Sequence, residues 1–275
     1  MYFPVVEYPL FIKSRRNDSL LNVPSHKALV RSLDNGAPHV LSVVGAGYNV
    51  VQNKELFTAI EGQILHALSY RVLEGVAVSD RMSYRGRDCF RDYIFPNVKV
   101  EVDNRNHPVA LRMLVWNSFG GGSFKLYVGA IDSFCTNGSI FGEYDIYYHK
   151  HTSGLKITDI TKRVNSAVDV FYAQAETWKQ WRRIEIRDGD VLKFLNAHFS
   201  ERRASALMRQ WAYESDRRGR NVWALYSALT YYSSHNKGEF AMRETGTDHQ
   251  AATMVKREME VRKVIGSDDW KALAA

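Results

Sequence analysis

Residues 124–138 read FKLYVGAIDSFCTNG, and this stretch divides the chain. Its first eight residues are dense in aromatic and β-branched side chains, the composition of a strand. Asn137-Gly138 is a tight-turn dipeptide. The stretch reads as the last strand of a sheet running into a turn that hands over to a helical half. Upstream, residues 72–78, 90–102 and 109–116 have the same β-rich character and are separated by turn residues at 85–87, 103–108 and 119–123. Val98, Val100 and Val102 alternate with Lys99, Glu101 and Asp103, the period of a half-buried strand. This predicts an antiparallel meander of four or five strands, with helices on one face and the other face free.

Further upstream, GYNVVQ at 47–52 reads as a short strand. Asn53 is then a cap for a helix over 54–69, whose Leu56, Phe57, Ile60, Ile64, Leu65 and Leu68 recur at three- and four-residue spacing. The first 40 residues hold four of the six prolines. They read as an extended arm with one edge strand at 9–13.

Downstream of Gly138 the period changes. A single apolar stripe (Ile160, Val164, Ala167, Val168, Phe171, Ala175, Trp178) predicts a long helix over 160–183. Shorter helices are expected at 191–198, 202–215, 222–233, 248–265 and 268–272, with Asn221 as a cap and 217–221 as a loop. The fold class is therefore α+β: an antiparallel β-meander with one amphipathic helix in the N-terminal half, then a mainly helical C-terminal half. The expected division is an arm at 1–40, a core at 41–236 and a helical segment at 237–275.

The 275 residues are 45% hydrophobic and 24% charged, which is enough chain for a sizeable core. The net charge is +7, and it is uneven. Residues 1–150 hold 16 basic against 14 acidic side chains, and residues 151–275 hold 21 against 16. Such an excess favours a polyanionic partner. Cys89 and Cys135 are far apart and form no CxxC, so neither a disulfide scaffold nor a zinc site is expected, and a reducing compartment fits. No secretory signal or membrane-spanning run is read, so a cytoplasmic protein with no membrane partner is expected.

No phosphate loop, dinucleotide fingerprint or nucleophile elbow is present. His149 and His151, one residue apart beside Asp145, would share a strand face and form part of a metal site if a third ligand were near. Against this stand two richer clusters. Arg81, Tyr84, Arg85, Arg87, Phe90, Arg91 and Tyr93 crowd one predicted hairpin, with Lys125 beside the glycine-rich tip at 119–124. Guanidinium groups grip phosphate oxygens and ring faces stack on unpaired bases, so the interleaving suits a sequence-tolerant single-strand site. In the helical half, Arg182, Arg183, Arg202, Arg203, Arg217, Arg218 and Arg220 belong to a run from 179 to 220 with 11 basic and 6 acidic residues.

Several segments together resemble a phage- and plasmid-related family catalogued as a domain of unknown function: YNVVQN at 48–53, FCTNG at 134–138, HTSG at 151–154, and WALYSALTYY at 223–232 followed by His235-Asn236. The family often has HTGN where this chain has HTSG. The resemblance implies a mobile-element protein working beside replication and recombination functions. The layout is also similar to single-strand annealing proteins of the RecT, Red-beta and Rad-type groups, an analogy of architecture. The combined expectation is a cofactor-free, non-enzymatic single-stranded DNA-binding protein, with strand annealing as an extension. It would act as a homo-oligomer beside host or phage replication and recombination proteins. The competing expectations are a metal-dependent nuclease using His149 and His151, and a protein-interaction factor contacting host machinery through the helix at 248–265.

Overall fold

A computed structural model describes residues 1–103, 108–121, 124–132, 138–140, 147–149, 157–235, 238–241 and 249–275. The chain is α+β. Three strands, β1 (Val6–Lys13), β2 (Leu20–Ser32) and β3 (Pro38–Gly45), form an antiparallel sheet in sequence order. Helix α1 (Asn53–Ala67) and the single turn α2 (Tyr70–Leu73) lead into a second antiparallel sheet. That sheet contains β4 (Ala77–Ser83), β5 (Asp88–Glu101), β6 (Pro108–Ser118), β7 (Phe124–Asp132), β8 (Gly138–Ile140) and β9 (Tyr147–His149). The helical half follows: α3 (Ile157–Trp181), α4 (Asp188–His198), α5 (Glu201–Arg218), α6 (Val222–Ser234), α7 (Gln250–Ile265) and α8 (Asp268–Leu273).

The edge strand expected at 9–13 lies within β1, but the rest of the arm expected over 1–40 is a three-stranded sheet. The prolines sit where a sheet tolerates them: Pro9 next to a register shift on an edge strand, Pro38 as the first residue of β3. Residues 47–52 are no strand. Tyr48 is instead a buried anchor whose hydroxyl donates to Ser118 O at 2.9 Å. The stretch at 124–132 is not the last strand, because β8 and β9 both pair with β7 after it.

The large sheet is covered on both faces, another departure from expectation. Side chains alternate along β6: Leu111, Met113 and Val115 join Leu56, Phe57 and Ile60 of α1 and Val164, Phe171 and Trp178 of α3 in the main core. Leu114 faces the other way. There, with Phe90 and Tyr127, it packs against Ala251, Ala252 and Val255 of α7. The same parity puts Arg112 on the α7 side. A third cluster joins the sheets, with Val5, Leu29, Leu41 and Val44 packed against Cys89 and Phe119.

Helix α6 carries no charged residue and is buried along nearly all its length, as expected of a central helix. Asn221 caps it as predicted, accepting from Ala224 N at 3.0 Å. Helix α5 runs to Arg218, so Arg217 and Arg218 belong to its last turn and not to a loop.

Candidate nucleic-acid interface

The turn from β4 to β5 has an uncommon backbone. Tyr84, Arg85 and Gly86 take successive φ values of +54°, +53° and +95°. Only glycine visits this region without penalty, so two ordinary residues there need outside support. Arg31 Nη1 donates to Arg85 O at 3.2 Å, Arg87 N to Tyr84 O at 3.1 Å, and Cys89 Sγ to Gly86 O at 3.3 Å.

The turn brings Tyr84 against His249 at the start of α7, with ring centroids 4.5 Å apart, and the Arg87 guanidinium lies 3.9 Å over the Tyr84 ring. Arg87 also pairs with Asp88 at 3.0 Å, and Asp88 accepts from Trp116 Nε1 at 3.2 Å. Lys125, opposite Trp116 in the β6–β7 register, sets its ammonium 3.9 Å over that indole. His249, Tyr84, Arg87, Asp88, Trp116 and Lys125 thus form one connected strip of rings and cations, with the Asp88 carboxylate as the link between Arg87 and Trp116.

A second cationic feature lies where α5, α6 and α7 meet. Arg202, Arg203, Arg209 and Arg257 line a cleft of about 460 Å³, with Tyr232 and Phe240 as its apolar wall and Glu239 as its one acidic liner among the described residues. Arg257 is fixed by three backbone carbonyls, donating to His235 O at 3.1 Å, Phe240 O at 3.0 Å and Tyr232 O at 3.4 Å. No carboxylate pairs with it among the described residues; burial, with Arg203 nearby, pulls its pKa below the ordinary arginine value. Arg203 pairs with Glu260 at 2.9 Å and Arg209 with Glu239 at 2.6 Å, while Arg202 makes no ion pair among the described residues. Burial, then Glu260, pushes the Tyr232 hydroxyl up to about 12, so it stays protonated as a donor to Glu260.

The other arginines singled out in the sequence do not join these two features. Arg91 is buried between the Phe57 and Tyr2 rings and bound to Asp80 and Glu61, each at 2.7 Å. Arg218 is buried among Asp103, Asp132 and Glu214 at 2.5, 2.8 and 2.9 Å. Arg218 cannot reach a phosphate without leaving a cluster of buried carboxylates unpaired, and Arg91 is itself buried with its guanidinium already held by two carboxylates, so both are structural ties. Arg81 is committed to the buried Asp92 at 2.6 Å. Arg182 points toward Val102 O, and Arg183 is exposed close by at the end of α3. Arg217 leans on Tyr213, and Arg220 is paired with Asp188. Arg85 is exposed at the head of the turn.

Trp116, His249 and Arg257 complete the two features without having been singled out for them. Arg257 reads in sequence as one of several basic residues on a helix face, and only the tertiary fold puts it opposite Arg203. His149 lies in β9, where its backbone pairs with Phe124, while His151 and Cys135 fall outside the described residues. Among the described residues no three His, Cys, Asp or Glu side chains are grouped to hold a metal ion. No described helix is long and apolar enough to cross a membrane.

The model of the family described as Domain of unknown function (DUF932) matches residues 40–259. The chain belongs to that family. No curated protein and no solved structure matches it. The DUF932 match opens inside β3 and closes in α7, two residues past Arg257, so both the ring–cation strip and the arginine cleft lie within it. Strands β1 and β2 precede it.

Proposed function

We propose that this DUF932 protein binds single-stranded DNA. The observation that carries the reading is the way α7 links the two cationic features. His249, at its start, touches Tyr84 of the strip, and Arg257 lines the cleft. Eight residues separate them, about 12 Å along the helix axis, with exposed Lys256 beside the second. A polynucleotide lying along this helix would meet stackable rings and cations at one end and four arginines at the other. Sequence-tolerant single-strand sites have this composition. Strand annealing in a phage or plasmid replication and recombination system is the extended form of the reading. It requires no cofactor and no catalytic step.

The test is fluorescence anisotropy with labelled oligo-dT and a matched duplex at two salt concentrations. Binding is expected to favour the single strand and to fall steeply with salt. Arg202→Ala with Arg203→Ala, and separately Arg85→Ala with Arg87→Ala, should each weaken it by about ten-fold or more, the loss of at least one charge-assisted contact. Wild-type affinity in both double variants would sink the proposed path.

A further inference from the structure

The arginine cleft differs from the ring–cation strip in what it leaves open. Its rings are not available for stacking: Tyr232 is 1% exposed, closed in by Phe199 and Phe240, and Phe240 is itself buried. What faces the open space is cation. Arg202, Arg203 and Arg209 are exposed on α5, and Arg257 is half-buried on α7 across from them. Arg257 gives Nη1 to all three of its carbonyl acceptors, so its Nε and Nη2 hydrogens have no acceptor among the described residues. Glu260 and Glu239 engage Arg203 and Arg209. Two of the four positive charges, on Arg202 and Arg257, are left without a carboxylate among the described residues. Ser200, the N-cap of α5, is a further liner, and its side chain makes no cap hydrogen bond. The first-turn N–H groups of this 18-residue helix therefore add partial positive charge at the same end of the cleft.

We infer that the cleft takes the phosphomonoester at the end of a DNA strand. The inference rests on the single-strand reading above and adds where the strand ends. Charge selects this occupant first. A terminal phosphate carries about −1.5 to −2 at neutral pH, which matches the two uncompensated guanidiniums. An internal phosphodiester carries a single negative charge and would leave one of them unanswered. The donors agree. A monoester presents three strong acceptor oxygens, and Arg202 and Arg257 stand on different helices, so two guanidinium forks can grip one group from two sides. The lack of an open ring face points the same way. A nucleobase has nothing to stack on here, whereas Tyr84, Trp116 and His249 of the strip are each at least partly exposed. At about 460 Å³ the cleft is at the small end of ligand pockets, suited to one terminal phosphate and its sugar.

The experiment is fluorescence anisotropy of the full chain with short, internally labelled oligo-dT that ends in hydroxyls, in a 5′-phosphate or in a 3′-phosphate. One phosphorylated form is expected to bind at least about ten-fold tighter than the hydroxyl form, and which one it is identifies the end. Capping that phosphate as its methyl ester, which leaves one charge, should remove most of the advantage. Arg202→Ala and, separately, Arg257→Gln should do the same, with circular dichroism as the check on folding. If Arg257→Gln fails to fold, Arg202→Ala carries the test, because its side chain is exposed and makes no ion pair among the described residues. Tight binding that ignores the end group overturns the inference and leaves the single-strand reading standing. An end preference that the folded variants keep also overturns it. Thymidine monophosphate that competes as strongly as the phosphorylated strand assigns the cleft to a free nucleotide, with the same result. Failure of every strand to bind defeats the single-strand reading itself, and this inference with it.

Discussion

Arg112 Nη1 donates to Glu258 Oε2 at 2.7 Å, an ion pair between β6 and α7 whose side chains are 5% and 2% exposed. The other side of the same guanidinium holds Asp92 at 2.6 Å, and Asp92 holds Arg81 at 2.6 Å. The chain Arg81–Asp92–Arg112–Glu258 therefore pins α7 to the sheet through three charges that have almost no water around them, with the partly exposed Arg81 as its outer end. Removing one member leaves a buried charge short of a partner. Glu258→Ala should destabilise the fold by about 3–5 kcal/mol, whereas the triple variant Asp92→Leu, Arg112→Met and Glu258→Leu, which removes all three buried charges together, should cost much less. Urea unfolding monitored by tryptophan fluorescence tests the contrast. If the triple variant is as unstable as the single one, the cost arises from packing and not from the orphaned charge.

The same chain sets a pH dependence. Burial pushes the Asp92 carboxyl up, but Arg112 and then Arg81 outweigh it and hold the folded-state pKa below the ordinary aspartate value. A lowered folded pKa means that the contribution is complete above the unfolded value of about 3.9 and fades as pH falls from there through the folded value. The Tm gap between wild type and Asp92→Asn should thus be flat from about pH 5 to 7 and narrow below about pH 4. Parallel Tm curves for the two proteins down to pH 3 would remove Asp92 from the acid response.

Much of this was legible in the sequence because the period was long and clean. The stripe from Val164 to Trp178 gave α3, the alternation around Val98–Val102 gave β5, and Asn221 marked the start of α6. The first sheet was hidden by its prolines, which occupy a strand start and the neighbourhood of a register shift. The candidate site was only partly legible. A guanidinium reads the same in sequence whether it faces water or, like Arg218, satisfies buried carboxylates contributed from far along the chain. Asp103 is 115 residues from Arg218. Tyr84 and Arg87 were read on one hairpin and Lys125 on the separate glycine-rich tip, while Trp116, whose ring carries Lys125 and whose indole N–H reaches Asp88, looked like an ordinary strand aromatic.

Gly86 should not tolerate a side chain. Its φ is +95°, and a Cβ there would lie 2.6 Å from both Phe3 Cζ and Arg31 Nη1. Those two groups are themselves stacked, with the guanidinium 3.9 Å over the ring. Since Arg31 also supports the Arg85 carbonyl, the whole turn would have to move. Gly86→Ala is expected to cost about 2 kcal/mol or more from backbone strain and the close contact together. It should also weaken oligo-dT binding by misplacing Tyr84 and Arg87. Unchanged stability in Gly86→Ala would show that the left-handed turn is not held as described.

Cys89 should report the integrity of that turn. Its thiol is fully buried, donates to Gly86 O at 3.3 Å and lies 3.2 Å from Asn53 Nδ2. Burial pushes its pKa up to about 12, so the reactive thiolate is scarce at neutral pH as well as shielded. In a Cys135→Ser background, native protein should react with a disulfide reagent only through rare opening, and several orders of magnitude more slowly than the unfolded chain. The contact with Gly86 makes the thiol sensitive to the segment that carries Tyr84 and Arg85. Saturating oligo-dT should therefore slow the reaction further if the DNA seats on that turn, by roughly the factor by which binding stabilises the closed form. Rapid labelling of the native variant would contradict the buried geometry. Slow labelling that oligo-dT leaves unchanged would move the DNA path away from the β4–β5 turn and leave the arginine cleft as its remaining anchor.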